Sequence, residues 1–144
     1  MSLLTENLIF TDEFSNAYDA MELDKACMFI HGQAGSGKST LLEWFRSNTT
    51  KKHVILAPTG VAALNVRGET IHSFFKFKPS ITPDDAKIKG ARGVKKKYKA
   101  IDCIVIDEIS MVRADLCDCM DQFLKSACNS SRLATNGKLR KVPP

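Results

Sequence analysis

The sequence lacks any long apolar run. Its apolar stretches are short, namely Cys27–Ile30, Val54–Ala57 and Ile101–Ile106. A transmembrane helix needs about 20 consecutive apolar residues, so we expect no segment that crosses a membrane. The N-terminus also lacks a basic region followed by an apolar stretch. We therefore expect no secretion signal.

Paired cysteines are missing as well. The total of five is odd and no CxxC pair occurs, which argues against a disulfide framework and against a structural zinc site. Cys27 and Cys103 lie in strand-like runs, where we expect them to behave as small core residues. The pattern is typical of reduced thiols, so we expect a cytoplasmic protein.

The composition is sufficient for one folded domain with a core. The chain has 144 residues, of which 44% are hydrophobic. Its formal net charge of +5 suits an anionic partner but does not require one.

Strand-like and helix-like stretches alternate along the chain. This order predicts an α/β fold in which helices flank a mostly parallel sheet. The stretch Ile101–Ile106 is apolar on both faces, as expected of a buried parallel strand. The predicted strands are Cys27–His31, Val54–Ala57 and Ile101–Ile106, and the predicted helices are Leu8–Met21, Ser39–Ser47, Gly60–Val66 and Arg113–Ala127.

A glycine-rich segment between a predicted strand and a predicted helix carries the clearest motif. Gly32–Ser39 reads GQAGSGKS and fits the pattern GxxxxGK[ST] of P-loop nucleoside triphosphatases, so a chance glycine-rich turn is a weak alternative. Glycines leave room for a triphosphate to reach backbone N–H groups at a helix start. Lys38 supplies charge for the outer phosphates, and Ser39 offers a hydroxyl to Mg²⁺. The candidate nucleotide-binding residues are Gly32, Gln33, Ala34, Gly35, Ser36, Gly37, Lys38, Ser39 and Thr40.

Two carboxylates follow the last predicted strand. In a P-loop protein the carboxyl end of such a strand faces the phosphates. Asp107 would then hold Mg²⁺, and Glu108 would act as general base toward the attacking water, with Lys38 as the second catalytic group. The alternative is a solvated strand end, but the upstream phosphate loop favours the catalytic interpretation.

A turn after the second predicted strand could contact nucleic acid. Small residues beside Thr59, namely Pro58 and Gly60, would let a phosphodiester approach N–H groups at a helix start. By physical argument alone, Thr59 could equally be only a helix N-cap. The residues leave both interpretations open.

A second candidate contact lies in Thr70–Phe75. His72 could meet a phosphate or a base, and Phe74 or Phe75 could stack on a base. The spacing of Ile71, Phe74 and Phe75 favours packing in the core instead.

The stretch Lys87–Lys99 is rich in lysine and arginine. Such a run attracts polyanions without sequence preference. Most charge runs are solvated surface, and we expect a mobile surface segment here rather than a specific DNA site.

Three blocks together resemble one known family. The blocks are HGQAGSGKST, APTGVAALNVRGETIHSFF and IVIDEISMVRADL, which extend from about Met28 to about Leu124. They resemble the petite-integration-frequency helicases, the 5′-to-3′ branch of superfamily 1 and relatives of the RecD-type motors. The resemblance implies a RecA-like first motor domain that uses ATP and Mg²⁺ and contacts single-stranded DNA. It also implies Lys38, Ser39, Asp107 and Glu108 as ATP-site residues, with Thr59 and His72 on the DNA side.

The resemblance predicts a domain organisation, but the sequence also departs from the family pattern. We expect an N-terminal helical segment at 1–26, the RecA-like core at 27–128 and a polar tail at 129–144. The family continues with a GDxxQL-type motif and a second RecA-like domain that supplies an arginine to the ATP site, so a truncated first motor domain with weak nucleotide binding and slow hydrolysis is expected. No clear glutamine stands where the family contacts adenine. A P-loop ATPase of AAA type and a non-catalytic nucleotide- or DNA-binding module remain the alternatives.

Overall fold

The computed structural model describes residues 11–23, 27–87 and 92–128. The start of the predicted helix Leu8–Met21 and the predicted tail 129–144 lie outside these residues. The described residues form two compact units, one ending at Thr50 and the other beginning at Lys51. The elements are α1 (Asp12–Leu23), α2 (Lys38–Asn48), β1 (His53–Ala57), α3 (Gly60–Asn65), β2 (Glu69–Thr70), α4 (Ile71–Phe75), α5 (Arg92–Lys99), β3 (Cys103–Ile106), a 3-10 helix (Ile109–Met111) and α6 (Ala114–Cys128).

The first unit consists of two helices and the phosphate loop between them. Helix α1 begins at Asp12 because the hydroxyl of Thr11 accepts a hydrogen bond from the N–H of Phe14, as an N-cap does. At the other end of α1, the Glu22 carboxylate accepts hydrogen bonds from the hydroxyls of Thr49 and Thr50, at 2.6 and 3.0 Å. These hydrogen bonds link the C-terminal end of α1 to the residues that follow α2.

The predicted strand Cys27–His31 is wrong. These residues form no regular element, and no sheet among the described residues includes them. Cys27 is exposed, so the expectation that it is a core residue is also wrong. The apolar run therefore has no ladder partner within the described residues, and a parallel strand exists only through such a partner.

The second unit is built on a parallel sheet in the order β2-β1-β3. Leu56 pairs with Glu69 and with Ile106, which places β1 at the centre. The predicted parallel α/β arrangement is confirmed. All four residues of β3 are half-buried rather than buried, because β3 is an edge strand of the described sheet and lacks a neighbour on one side.

Five aromatic side chains form the centre of the second unit's core. Phe75 makes ring contacts with each of the others, at centroid distances from 4.9 to 6.0 Å. The buried positions of Phe74 and Phe75 confirm the prediction that they pack in the core. The cluster consists of Phe74, Phe75, Phe77, Tyr98 and Phe123.

The lysine-rich segment is helical over Arg92–Lys99, so the expectation of a mobile segment is wrong for this part. Tyr98 explains the difference, because its side chain is only 5% exposed and its hydroxyl donates to the carbonyl of Phe74 at 3.0 Å. Burial raises the pKa of Tyr98, and the nearby Glu69 carboxylate adds to the shift, so the hydroxyl stays protonated and can donate. The lysine-rich helix α5 is thus packed on the core through the side chain of Tyr98.

Gly68 brings the start of β2 close to β1. A Cβ at Gly68 would lie 2.4 Å from the carbonyl oxygen of Ile55, which is backbone and cannot rotate away. We expect Gly68→Ala to lower the free energy of unfolding by about 2 kcal/mol, because β2 must move off the central strand. Urea unfolding measures the change.

Gly60→Ala is the matched control for this prediction. A Cβ at Gly60 meets no atom within 4 Å, and Gly60 lies at the first position of α3, where Ala favours the helix. Equal losses of stability in the two variants would contradict the close approach at Gly68.

Candidate functional site

The phosphate loop has the backbone of an open anion-binding turn. Gly35 and Gly37 have φ values of 78° and 89°, which residues with a Cβ rarely adopt. Helix α2 begins directly after Gly37, which serves as its N-cap without any side-chain cap. The first N–H groups of α2 therefore lack a side-chain acceptor from Gly37, and a helix start of this kind attracts anions.

Lys38 lies on the loop in the structure. Its ammonium donates to the carbonyls of Gly32 and Gln33, both at 2.8 Å, and approaches the hydroxyl of Ser36 at 3.5 Å. A Cβ on Gly32 would lie 2.5 Å from that hydroxyl, so a larger residue there would require the Ser36 side chain to shift. The loop, with Ala34, Ser39 and Thr40 exposed beside it, thus presents a cation at its surface.

The two candidate carboxylates follow β3 but differ in backbone. The N–H of Asp107 donates to the carbonyl of Leu56 at 2.9 Å, which continues the β1–β3 pairing by one residue. Asp107 is half-buried and Glu108 is exposed. Glu108 has φ 52° and ψ 43°, the left-handed region, and no side-chain cap bond to the 3-10 helix that follows it.

Three non-glycine residues of the described ranges have positive φ: Arg67, Lys76 and Glu108. Arg67 and Lys76 stand where α3 and α4 end, a place where left-handed residues are common. Glu108 follows a strand, so helix termination does not account for its conformation. For a residue with a Cβ this conformation costs about 1 kcal/mol.

Thr59 and Thr70 act as helix caps at the ends of neighbouring strands. The hydroxyl of Thr59 accepts from the N–H of Ala62, and that of Thr70 accepts from the N–H of Ser73, both at 3.2 Å. The capping interpretation of Thr59 is confirmed, and its contact with DNA stays a prediction. The cap at Thr70 was missed, although it has the same three-residue offset to its donor.

The strand register places several candidate residues on one edge of the sheet. Ala57 pairs with Thr70, and Leu56 pairs with Ile106, at the carboxyl ends of three parallel strands. The chain leaves this edge through Pro58–Gly60, through α4 with the half-buried His72, and through Asp107–Glu108. The phosphate loop belongs to the first unit.

Lysine side chains of α5 lie next to the aromatic cluster. The ammonium of Lys97 is 5.1 Å from the ring centroid of Phe74 and 5.7 Å from that of Tyr98. Such cation–π contacts hold the charge at the surface over the core. Part of the basic run is therefore packed against the core. These contacts say nothing about whether the run also binds DNA.

The described residues contain no group of three or more His, Cys, Asp or Glu side chains that could hold a metal ion. Mg²⁺ is often held by only one or two protein ligands together with water and substrate phosphates, and Ser39 and Asp107 as such ligands stay a prediction. Within the same described ranges, no helix is both long and apolar enough to span a membrane.

Comparison with known proteins identifies the family. A family model for PIF1-like helicases matches residues 10–138. The ATP-dependent DNA helicase PIF1 of Emericella nidulans is 30% identical over 133 residues, which cover 81% of this chain and 18% of the relative. The ATP-dependent DNA helicase Pif1 of Campylobacter jejuni is 32% identical over 128 residues, which cover 81% of this chain and 29% of the relative.

Solved structures agree with the sequence relatives. A Bacteroides Pif1 helicase in complex with ADP-AlF3 and single-stranded DNA matches with a TM-score of 0.73 and 35% identity, over 84% of this chain and 29% of that one. A Bacteroides Pif1 in complex with ADP-AlF4 matches with a TM-score of 0.74 and 35% identity, over the same shares. The chain thus spans less than a third of the proteins it matches, and it belongs to the PIF1-like helicase family.

Proposed function

We propose that this chain is the nucleotide-binding part of an ATP-dependent DNA helicase, which binds and hydrolyses ATP with Mg²⁺ and contacts single-stranded DNA. The observation that carries the proposal is the phosphate loop, with left-handed Gly35 and Gly37 directly before α2 and the Lys38 ammonium at the loop surface. The relatives are named ATP-dependent DNA helicases, which supports the same function here.

The loop residues would bind the triphosphate. Backbone N–H groups of residues 35–40 would donate to phosphate oxygens, and the glycines would keep side chains out of the way. Lys38 would exchange its present carbonyl partners, Gly32 and Gln33, for phosphate oxygens. Because a charged acceptor forms a stronger bond than a neutral carbonyl, this exchange favours the bound state.

Ser39 and Asp107 would hold Mg²⁺, which supplies charge neutralisation at the phosphates when it is bound. Asp107 is tied to β1 through its N–H, so its carboxylate is carried by the sheet rather than by a free loop. Glu108 would accept the proton of the attacking water as general base. The two acids thereby have different tasks. Their backbones differ as well, since Asp107 continues the strand pairing and Glu108 is left-handed.

The carboxyl edge of the sheet is the proposed DNA side. Helices α3 and α4 both begin there, and their capping threonines keep each helix start fixed relative to its strand. Pro58, Thr59 and Gly60 would meet the phosphodiester through backbone groups, and His72 would contact a phosphate or a base. A cytoplasmic location stays a prediction from the cysteine pattern.

Replacing Lys38 by Ala tests the nucleotide site. We expect ATP affinity to fall by roughly 10- to 100-fold, because the ammonium is the point charge for the outer phosphates and a charged hydrogen bond contributes about 1.5–3 kcal/mol. Isothermal titration with ATP and Mg²⁺ measures the affinity. Ala is the best helix former, so α2 should keep its start at this position.

Lys52→Ala removes the same charge from an exposed position that is remote in sequence from the loop. It should leave ATP affinity unchanged. The proposal fails if both variants bind ATP as the unmodified protein does, or if both lose affinity equally, since the latter would indicate a nonspecific effect of net charge.

A further inference from the structure

The backbone of Glu108 is left-handed in the turn between β3 and the 3-10 helix, a conformation that suits glycine better than a residue with a Cβ. Arg67 and Lys76 share the conformation, but each ends a helix. Lys76 also has its N–H bonded to the carbonyl of Ser73, the short bond that closes a helix end. Glu108 instead opens a 3-10 helix, and residues in that opening role are normally extended.

The conformation changes how two neighbouring carboxylates can be presented. Along a strand, successive side chains point to opposite faces of the sheet. Asp107 still follows the strand, because its N–H pairs with Leu56. A left-handed residue directly after it ends that alternation. Glu108 is therefore free of the requirement to face away from Asp107.

We propose that the left-handed backbone of Glu108 is retained for the hydrolysis of ATP, and that the fold would be more stable with a residue suited to this conformation. The inference rests on the proposed function, because it takes Glu108 as the group that accepts the proton from water. The backbone of Glu108 releases its carboxylate from the strand alternation that would turn it away from the metal-side Asp107, and glutamate occupies the position despite its poor fit to positive φ.

The Ala and Gly variants of Glu108 test the backbone. Neither side chain can accept a proton or cap a helix, so the pair differs only in its tolerance of the left-handed region. We expect Glu108→Gly to melt about 3 °C above Glu108→Ala in the full-length protein. In an ordinary helix the order is reversed, because Gly there is less stable than Ala.

Two further pairs calibrate the measurement in the same fold. Lys76→Gly should melt above Lys76→Ala, since Lys76 is left-handed at a helix end. Asp118→Gly should melt below Asp118→Ala, since Asp118 is exposed within α6. If the Gly variant of Glu108 melts above its Ala variant, as expected for Lys76, the inference is supported. If the Gly variant melts below the Ala variant, as expected for Asp118, the inference is overturned.

Single-turnover hydrolysis separates the inference from the function on which it rests. Support requires that Glu108→Gly is at least as stable as the unmodified protein, keeps its ATP affinity and loses hydrolysis. If Glu108→Gly hydrolyses ATP at the normal rate, Glu108 is not the proton acceptor, and the inference is overturned together with that part of the proposed function. If Glu108→Ala melts higher but Glu108→Gln still loses hydrolysis, only the inference fails and the proposed function stands.

Discussion

Glu108→Gln is expected to lower the rate of ATP hydrolysis by about 10²- to 10⁴-fold while ATP affinity is retained. Gln has nearly the same shape as Glu but cannot accept a proton from water. Glu108 is exposed and makes no side-chain cap bond, so the change removes little from the fold. The binding of ATP is proposed to depend on the phosphate loop, whose residues the substitution leaves unchanged.

The measurement is single-turnover hydrolysis by the full-length protein, with and without single-stranded DNA, beside a titration with ATP. Glu13→Gln is the matched control, because Glu13 is an exposed glutamate in α1. It should hydrolyse ATP normally. A DNA-stimulated rate in the unmodified protein that disappears in Glu108→Gln supports a helicase motor over an ATPase that needs no DNA.

Two results would contradict the assignment. Normal hydrolysis in Glu108→Gln would show that another group accepts the proton. Loss of both hydrolysis and ATP affinity would place Glu108 in the binding of nucleotide or Mg²⁺ rather than in proton transfer, and would transfer to it the task now proposed for Asp107.

The elements that carry the candidate site were largely predictable because its motifs are local. The phosphate loop needs particular residues at fixed spacing, and its helix α2 begins within one residue of the predicted start. Asp107 and Glu108 directly follow a predicted strand that the structure confirms. Short motifs carry their own geometry, since backbone conformation there is decided by neighbours in sequence.

The errors arose where long-range partners decide the structure. An apolar run such as Cys27–His31 becomes a strand only when another strand pairs with it, and the run itself does not encode that partner. β2 has two residues, too few to show any periodicity, and it exists because Gly68 lets it approach β1. The docked helix α5 depends on Tyr98 reaching a core built by residues far along the chain.

The interpretation of Thr59 shows a limit of a different kind. Sequence left capping and DNA contact equally open, and the structure confirms the cap. The two tasks are compatible, because a cap uses the side chain while the backbone N–H groups of the turn stay available to a phosphate. Fixing the helix start is thus a precondition for the proposed contact, rather than an argument against it.

Phe75→Ala is expected to lower the free energy of unfolding of the second unit by about 3–5 kcal/mol. Phe75 is 2% exposed and lies against four other rings, stacked on Phe77 and Tyr98 and edge-on to Phe74 and Phe123. Removal of this ring leaves a cavity that four bulky neighbours cannot fill without leaving their own contacts. Urea unfolding measures the loss.

The position of Phe75 gives the prediction a functional side. Phe75 lies on α4 with His72, and Phe123 lies on α6, which follows the Asp107–Glu108 segment. Their ring contact, with centroids 5.1 Å apart, therefore joins α4 on the proposed DNA side to α6, the helix that follows the carboxylates in sequence.

Leu64→Ala is the control. Leu64 is 79% exposed on α3, so its replacement should lower the free energy of unfolding by less than about 1 kcal/mol. If Phe75→Ala destabilises no more than Leu64→Ala, the aromatic cluster does not hold these elements together, and the fixed arrangement of the sheet edge must come from the strand pairing alone.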